Sequence, residues 1–94
     1  MNFNFNKVYN ILMIKSDKQV YKKNMLFYSF ENFEFYIDTL KIQKNDKIVE
    51  LYYNNLKFAL LFEYDNRYFI TSKYYEKDKA KELFKKFMDK INNE

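Results

Sequence analysis

The stretch LKFALLFEY, residues Leu56–Tyr64, is the most apolar part of the chain and decides the fold. Every second residue in it is large, in the series Leu56, Phe58, Leu60, Phe62 and Tyr64. This alternation is typical of a β-strand with one buried face. Asn54-Asn55 precedes the stretch and Asp65-Asn66 follows it, and both residue types tolerate the positive φ of tight turns in a chain without glycine. The stretch therefore predicts the central strand of an antiparallel meander.

The segments on either side extend this meander to residues 47–72. Residues 47–53 alternate between two faces, with Val49, Leu51 and Tyr53 on the buried one. A two-residue turn at Asn54-Asn55 then pairs the buried residues Tyr53 with Leu56, Leu51 with Phe58, and Val49 with Leu60. A three-residue loop at 64–66 pairs Phe62 with Tyr68 and Leu60 with Ile70, and sets Glu63 opposite Arg67.

Three segments before the meander complete the sheet. Residues 8–15, in which 11–14 are continuously apolar, predict a buried strand, and 19–28 predict a second one. Residues 30–42 are ambiguous, because Phe33, Phe35 and Ile37 alternate as in a strand. The spacing of Phe30, Phe33, Ile37 and Leu40 instead follows one helical face. The helical face continues to Leu40 whereas the alternation stops, so the pattern favours a helix.

The C-terminal segment 77–91 has the clearest helical period of the chain. Its apolar residues fall on one face, namely Ala80, Leu83, Phe84, Phe87, Met88 and Ile91, and the remaining positions are mostly charged. The predicted order is thus β-β-α-β-β-β-α. We expect an α+β fold in which a single antiparallel sheet of about five strands carries one or two helices on one face, within one domain, residues 1–94.

The missing residue types exclude several classes of function. The chain has no Gly, Pro, Cys, His or Trp. Without Cys or His it lacks the usual zinc ligands, a thiolate nucleophile and the commonest general base. Without Gly it lacks the loops that cradle phosphates. The sequence therefore predicts a protein that is not an enzyme and has no catalytic residues, cofactor or metal.

Composition also suggests where the protein acts. The longest apolar run, 58–62, is far too short to cross a bilayer, and residues 1–7 lack the pattern of a secretory signal. We therefore expect a cytoplasmic protein without a membrane partner. The abundance of Phe, Tyr, Asn, Lys and Ile matches AT-rich codons and indicates an AT-rich genome, such as that of a low-GC bacterium or its phages and plasmids.

One candidate binding surface is the outer face of the predicted sheet. If helices cover the Leu60 side, apolar side chains flanked by charges stay outside, and the candidate partner-binding residues are Tyr52, Lys57, Leu61, Glu63, Arg67 and Phe69. An apolar centre with a charged rim is typical of a surface that binds another protein or a nucleoprotein complex. Three alternatives remain open: cover by the protein's own chain, pairing with a second copy, and stacking of nucleic-acid bases on the aromatic rings.

A second candidate surface is the basic side of the C-terminal helix. Lys77, Lys81 and Lys85 are spaced by four residues and could contact phosphates. Acidic residues interleave with them, which also fits an ordinary solvated helix face.

Our first functional hypothesis is a small binding protein that docks on another protein, for example a phage or mobile-element inhibitor of host defence such as an anti-CRISPR protein. The alternative is a small nucleic-acid-binding module.

Overall fold

The computed structural model of the protein describes residues 4–16, 25–38, 47–71 and 73–93. This part of the chain forms two α-helices and five β-strands in the order α-β-β-β-β-β-α. Their bounds are α1 Phe5–Lys15, β1 Met25–Phe30, β2 Phe33–Asp38, β3 Ile48–Tyr53, β4 Leu56–Phe62, β5 Tyr68–Ile70 and α2 Lys77–Asn92.

The five strands form one antiparallel sheet in which each strand pairs with its neighbour in sequence, β1-β2-β3-β4-β5. Buried side chains of both helices join those of one sheet face in a single core cluster. Both helices therefore cover the same face of the sheet. The predicted α+β class, the five-stranded antiparallel sheet and the central meander are confirmed.

Helix α2 closes the core as its period predicts. All six apolar residues of the predicted stripe are buried. Phe87 lies at the centre of an aromatic cluster, with its ring centroid 5.8 Å from that of Phe30, 5.8 Å from Phe33 and 5.0 Å from Phe35. The stacked and edge-on geometries of these pairs add to the free energy gained by burial alone.

Helix α1 occupies residues that the sequence predicted as a strand, and the prediction of a strand over 8–15 is wrong. The helix begins after Asn4, whose side-chain oxygen accepts a hydrogen bond from the Asn6 backbone N–H at 2.9 Å. Only the positions on one helical face are buried, Phe5, Val8 and Leu12. Ile14 is 80% exposed, so the apolar run reflects composition more than burial.

The predicted helix over 30–42 is also wrong in its described part. Strand β1 ends at Phe30, Glu31 and Asn32 form a turn, and β2 follows. The alternation of buried residues along β2 is the strand pattern that competed with the helical one. Pairing with neighbouring strands on both sides supplies the tertiary contacts that decide between them. Residues 39–42, and residues 19–24 of the predicted second strand, lie outside the described residues.

The β3–β4 hairpin turns where the sequence predicts. Tyr53 lies opposite Leu56, with Asn54 (φ 51°) and Asn55 (φ 67°) between them. Two consecutive residues with positive φ match the right-handed twist of the flanking strands. Asparagine thus supplies the conformation for which other hairpins use glycine.

A β-bulge in this hairpin changes the predicted register. Leu51 lies opposite Ala59 and not Phe58, so β4 contains one residue more than its partner at this point. Phe58 and Ala59 are both buried as a result. Beyond the bulge the two faces of β4 are exchanged, and Leu61 is 0% exposed.

The exchange also corrects the predicted β4–β5 pairing. Leu60 lies opposite Phe69, not Ile70, and Leu61 lies opposite Tyr68. The predicted loop residues Tyr64–Asn66 do form the connection, as a short 3-10 turn. Glu63 does not pair with Arg67 but has its carboxylate 3.3 Å from the Lys47 ammonium.

The bulge is tested by placing the same charge on two consecutive residues. Leu61→Lys would bury an ammonium in the core, and we expect it to cost several kcal/mol and to unfold most of the protein. In Leu60→Lys the new side chain points away from the core towards Glu50, and the free energy of unfolding should change by less than about 1 kcal/mol. Urea denaturation followed by circular dichroism compares the two variants. Equal destabilisation of both would contradict the bulged register.

Candidate functional site

The outer face, defined as the outward-pointing residues of the five strands, lies opposite the helices. Alternation and the bulge place on it the apolar residues Met25, Phe27, Ile48, Leu60, Phe62 and Phe69. Most of these side chains are only half-buried, and Phe69 is 60% exposed. No described helix packs its buried side chains here, because both helices contribute them to the core on the other side.

Four polar residues at the middle of the outer face form a connected group, which we call the tyrosine network. The rings of Tyr36 on β2 and Tyr52 on β3 stack with centroids 5.6 Å apart and planes inclined by 18°. Their hydroxyl oxygens are 3.1 Å apart, and the Tyr52 hydroxyl donates to the Glu50 carboxylate at 3.4 Å. Either hydroxyl can be the donor in the contact between Tyr36 and Tyr52, and Tyr36 also forms a hydrogen bond with the Glu50 carboxylate.

Lys57 on β4 completes the tyrosine network. Its ammonium lies 2.8 Å from the Glu50 carboxylate and 6.0 Å from the centre of the Tyr52 ring. Each member is thus held by a ring or charge contact from a neighbouring strand. The network presents two tyrosine rings in a fixed orientation before any partner binds.

The network shifts the pKa values of two members. Burial raises the pKa of Tyr36 well above that of a free tyrosine, and its hydrogen bonds with Tyr52 and Glu50 and the negative charge of Glu50 add to the effect. The hydrogen bond to Glu50 raises the pKa of Lys57 and outweighs the opposite effect of its partial burial. Near neutral pH the network therefore contains a neutral Tyr36 and a charged Lys57.

The outer face carries more negative than positive charge among its described residues. Glu34, Asp38 and Glu50 point outward from β2 and β3. The outward positions of the described strands include one lysine, Lys57, and it is paired with Glu50. The face therefore favours a basic partner and disfavours phosphates.

The predicted partner-binding residues do not form one surface. Tyr52, Lys57 and Phe69 lie on the outer face. Leu61 belongs to the core, because the bulge turns it inward, so its prediction as a surface residue is wrong. Arg67 lies at the end of the β4–β5 hairpin, away from the tyrosine network. Tyr36, which the network requires, was not among the candidates, since it stood in the predicted helix.

The end of the β4–β5 hairpin forms a second site, the hairpin groove. Its volume is about 320 Å³, and it is lined by Phe62, Tyr64, Arg67, Tyr68 and Phe69. The adjoining turn contains Asp65 with φ 62°, and the side-chain oxygen of Asn66 accepts a hydrogen bond from the Phe5 backbone N–H at 3.1 Å. The alternation assigned Tyr64 and Tyr68 to the buried set, so the sequence did not reveal this groove.

The candidate nucleic-acid residues Lys77, Lys81 and Lys85 are exposed on α2, and none forms an ion pair with a described residue. We call them the lysine flank. Two other lysines of α2 are paired: Lys86 with Glu82 at 3.4 Å, and Lys90 with a glutamate of the β1–β2 turn at 2.7 Å.

Comparisons with protein-family models, curated proteins and solved structures find no match to this chain. Among the described residues, neither helix combines the length and the hydropathy that crossing a membrane demands. The same residues contain no cluster of three or more acidic side chains that could hold a metal ion. The site must therefore be interpreted from its own geometry.

The pKa of Tyr36 gives a testable pH dependence. In the unfolded chain tyrosine ionises near pH 10, whereas in the fold Tyr36 keeps its proton to higher pH. The unfolded state thus loses the proton first, and the free energy of unfolding should fall as the pH rises above about 10. Tyr36→Phe should make this fall shallower in urea denaturation at increasing pH. An unchanged slope would show that Tyr36 is not held as described.

Proposed function

We propose that this small protein is not an enzyme and acts by docking on another protein through the outer face of its sheet. The observation that supports the proposal is the tyrosine network, a rigid polar centre surrounded by half-buried apolar side chains such as Leu60 and Phe62. Tyrosines at the centre of an interface are frequent hot spots, because each offers a large ring and a hydroxyl with little rotational freedom.

The rigidity of the network favours docking over catalysis. Binding costs less conformational entropy when side chains are already held in their bound orientation. In the network Tyr36 and Tyr52 are fixed by stacking, and Glu50 is fixed by Lys57 at 2.8 Å. Every polar group of this centre is already paired, so a partner can cover it without leaving a buried charge uncompensated.

The charge of the outer face supports a basic protein as the partner. Glu34 lies opposite Tyr52 of the network and favours a surface whose apolar centre is bordered by lysine or arginine. A second copy of the same face would bring the two Glu34 carboxylates towards each other, so a different protein is the better match. Such basic surfaces are common on proteins of nucleoprotein complexes, which fits an inhibitor of host defence, for example of a CRISPR effector.

The partner chemistry is tested by selecting binders from a random peptide library displayed on phage. Selection on the wild-type protein, with counter-selection on a Tyr52→Ala/Leu60→Lys variant, should enrich aromatic or aliphatic residues flanked by lysine or arginine. Synthetic peptides of these sequences should bind the wild type, and Tyr52→Ala should weaken binding about tenfold. Fluorescence anisotropy provides the affinities.

Control variants test whether the peptides bind the outer face and whether a second copy of the chain occupies it instead. Lys79→Glu, an exposed change on α2, should leave peptide binding unaltered. Selected peptides that bind the double variant as tightly as the wild type would exclude the outer face. Sedimentation showing a dimer that Leu60→Lys dissociates would identify a second copy as the occupant and overturn the proposal of a different protein.

A further inference from the structure

One edge of the protein has exposed aromatic rings beside cations that form no ion pair with a described residue. The rings belong to the hairpin groove, where Tyr64 is 79%, Phe69 60% and Tyr68 50% exposed. The cations are Arg67 of the groove and the lysine flank of α2. This edge is separate from the tyrosine network, which lies at the middle of the sheet.

The packing of α2 places the lysine flank beside β5. Phe84 stacks on Tyr68 of β5 with ring centroids 4.3 Å apart, while Phe87 contacts rings of β1 and β2. Around the helix axis, the direction from Phe87 to Phe84 is therefore the direction from the β1–β2 side to the β5 side. At 3.6 residues per turn, Lys77, Lys81 and Lys85 follow Phe84 in that direction, with the buried Met88 between the first two.

The two flanks of α2 differ in charge compensation. On the β1–β2 side Lys86 and Lys90 are neutralised by glutamates, and Lys79 is the lysine of that flank that forms no ion pair with a described residue. On the β5 side no lysine forms an ion pair with a described residue, and the same holds for Arg67 at the end of β5. Asp78 and Asp89 lie on the exposed ridge between the flanks and moderate the positive charge without pairing with it.

The aromatic rings of the groove are arranged to receive planar groups. Tyr68 is held in one orientation by its stack on Phe84. Tyr64 and Phe69 line a groove of about 320 Å³, which is large enough for a nucleobase. Flat rings beside arginine and lysine are the combination that binds single strands, since every base can stack and every phosphate can pair with a cation.

We propose that the hairpin groove and the lysine flank together bind single-stranded nucleic acid without sequence preference. Bases stack in the groove, on Tyr64 and Phe69, and the phosphates contact Arg67 and the lysine flank. Lysines four residues apart lie about 6 Å apart along the helix axis, which suits successive phosphates of an extended strand. A duplex keeps its bases stacked on each other and cannot use the groove. This activity does not depend on docking through the outer face.

The test is an anisotropy titration with a fluorescein-labelled oligothymidylate of about 15 nucleotides. We expect binding that weakens about 50-fold between about 50 and 200 mM salt, as four phosphate contacts to a single strand require. A duplex of the same length should bind more weakly at both salt concentrations. Absence of binding at the lower salt concentration would overturn the proposal.

Matched variants separate a site from general charge attraction. Lys81→Glu/Lys85→Glu should weaken binding at least tenfold, whereas Lys79→Glu/Lys86→Glu makes the same change of net charge on the opposite flank and should have less than a threefold effect. Equal losses in both would show non-specific attraction and overturn the site. Tyr64→Ala or Phe69→Ala should weaken binding about tenfold without changing its salt dependence.

Two further measurements test whether the ligand must be a nucleic acid and whether it binds at the hairpin groove. Polyglutamate that displaces the oligonucleotide as well as unlabelled oligothymidylate does would show that any polyanion binds, contrary to the proposal. Tyr52→Ala, which alters the tyrosine network on β3 away from the groove, should not weaken oligonucleotide binding. If it does, the oligonucleotide lies on the outer face and the proposed site is wrong. Circular dichroism of every variant confirms that it is folded.

Discussion

The packing of Phe87 against the rings of Phe30, Phe33 and Phe35 is the contact on which the arrangement of the molecule depends. Burying one phenylalanine contributes about 1.5–3 kcal/mol, and each aromatic pair adds about 0.5–1.5 kcal/mol. This cluster fixes the rotation of α2 about its own axis. That rotation brings Lys90 to Glu31 of the β1–β2 turn and leaves the lysine flank on the β5 side, where none of its members forms an ion pair with a described residue. The core therefore determines the charge distribution of the surface.

The bulge in β4 has a comparable effect on the sheet. One additional residue at Phe58–Ala59 turns both side chains inward and exchanges the faces of the strand beyond them. Leu61 then fills the core, while Leu60 and Phe62 lie on the outer face. Without the bulge, β4 would present alanine and leucine next to the tyrosine network. With it, the network has larger apolar neighbours, which a docking surface requires.

The sequence predicts most of the fold where one period dominates. Helix α2 is predicted to within a residue, because its polar positions are charged and only one face can be buried. Strand β4 is different, since both of its faces are apolar and Leu60 or Leu61 could equally fill the core. The bulge therefore leaves no mark in the hydrophobic pattern. The same ambiguity over 30–42 assigned Tyr36 to a helix, so half of the tyrosine stack could not be foreseen.

The two surfaces differ in charge although the chain as a whole carries +4. Carboxylates collect on the outer face of β2 and β3, and cations that form no ion pair with a described residue collect beside β5. Charges of opposite sign on separate surfaces give an approaching partner a preferred orientation. A partner that combines a basic protein surface with an exposed single strand would match both at once. Nucleoprotein complexes have this combination. If both surfaces contact one such complex, binding of the first surface holds the second close to its own target and raises the overall affinity.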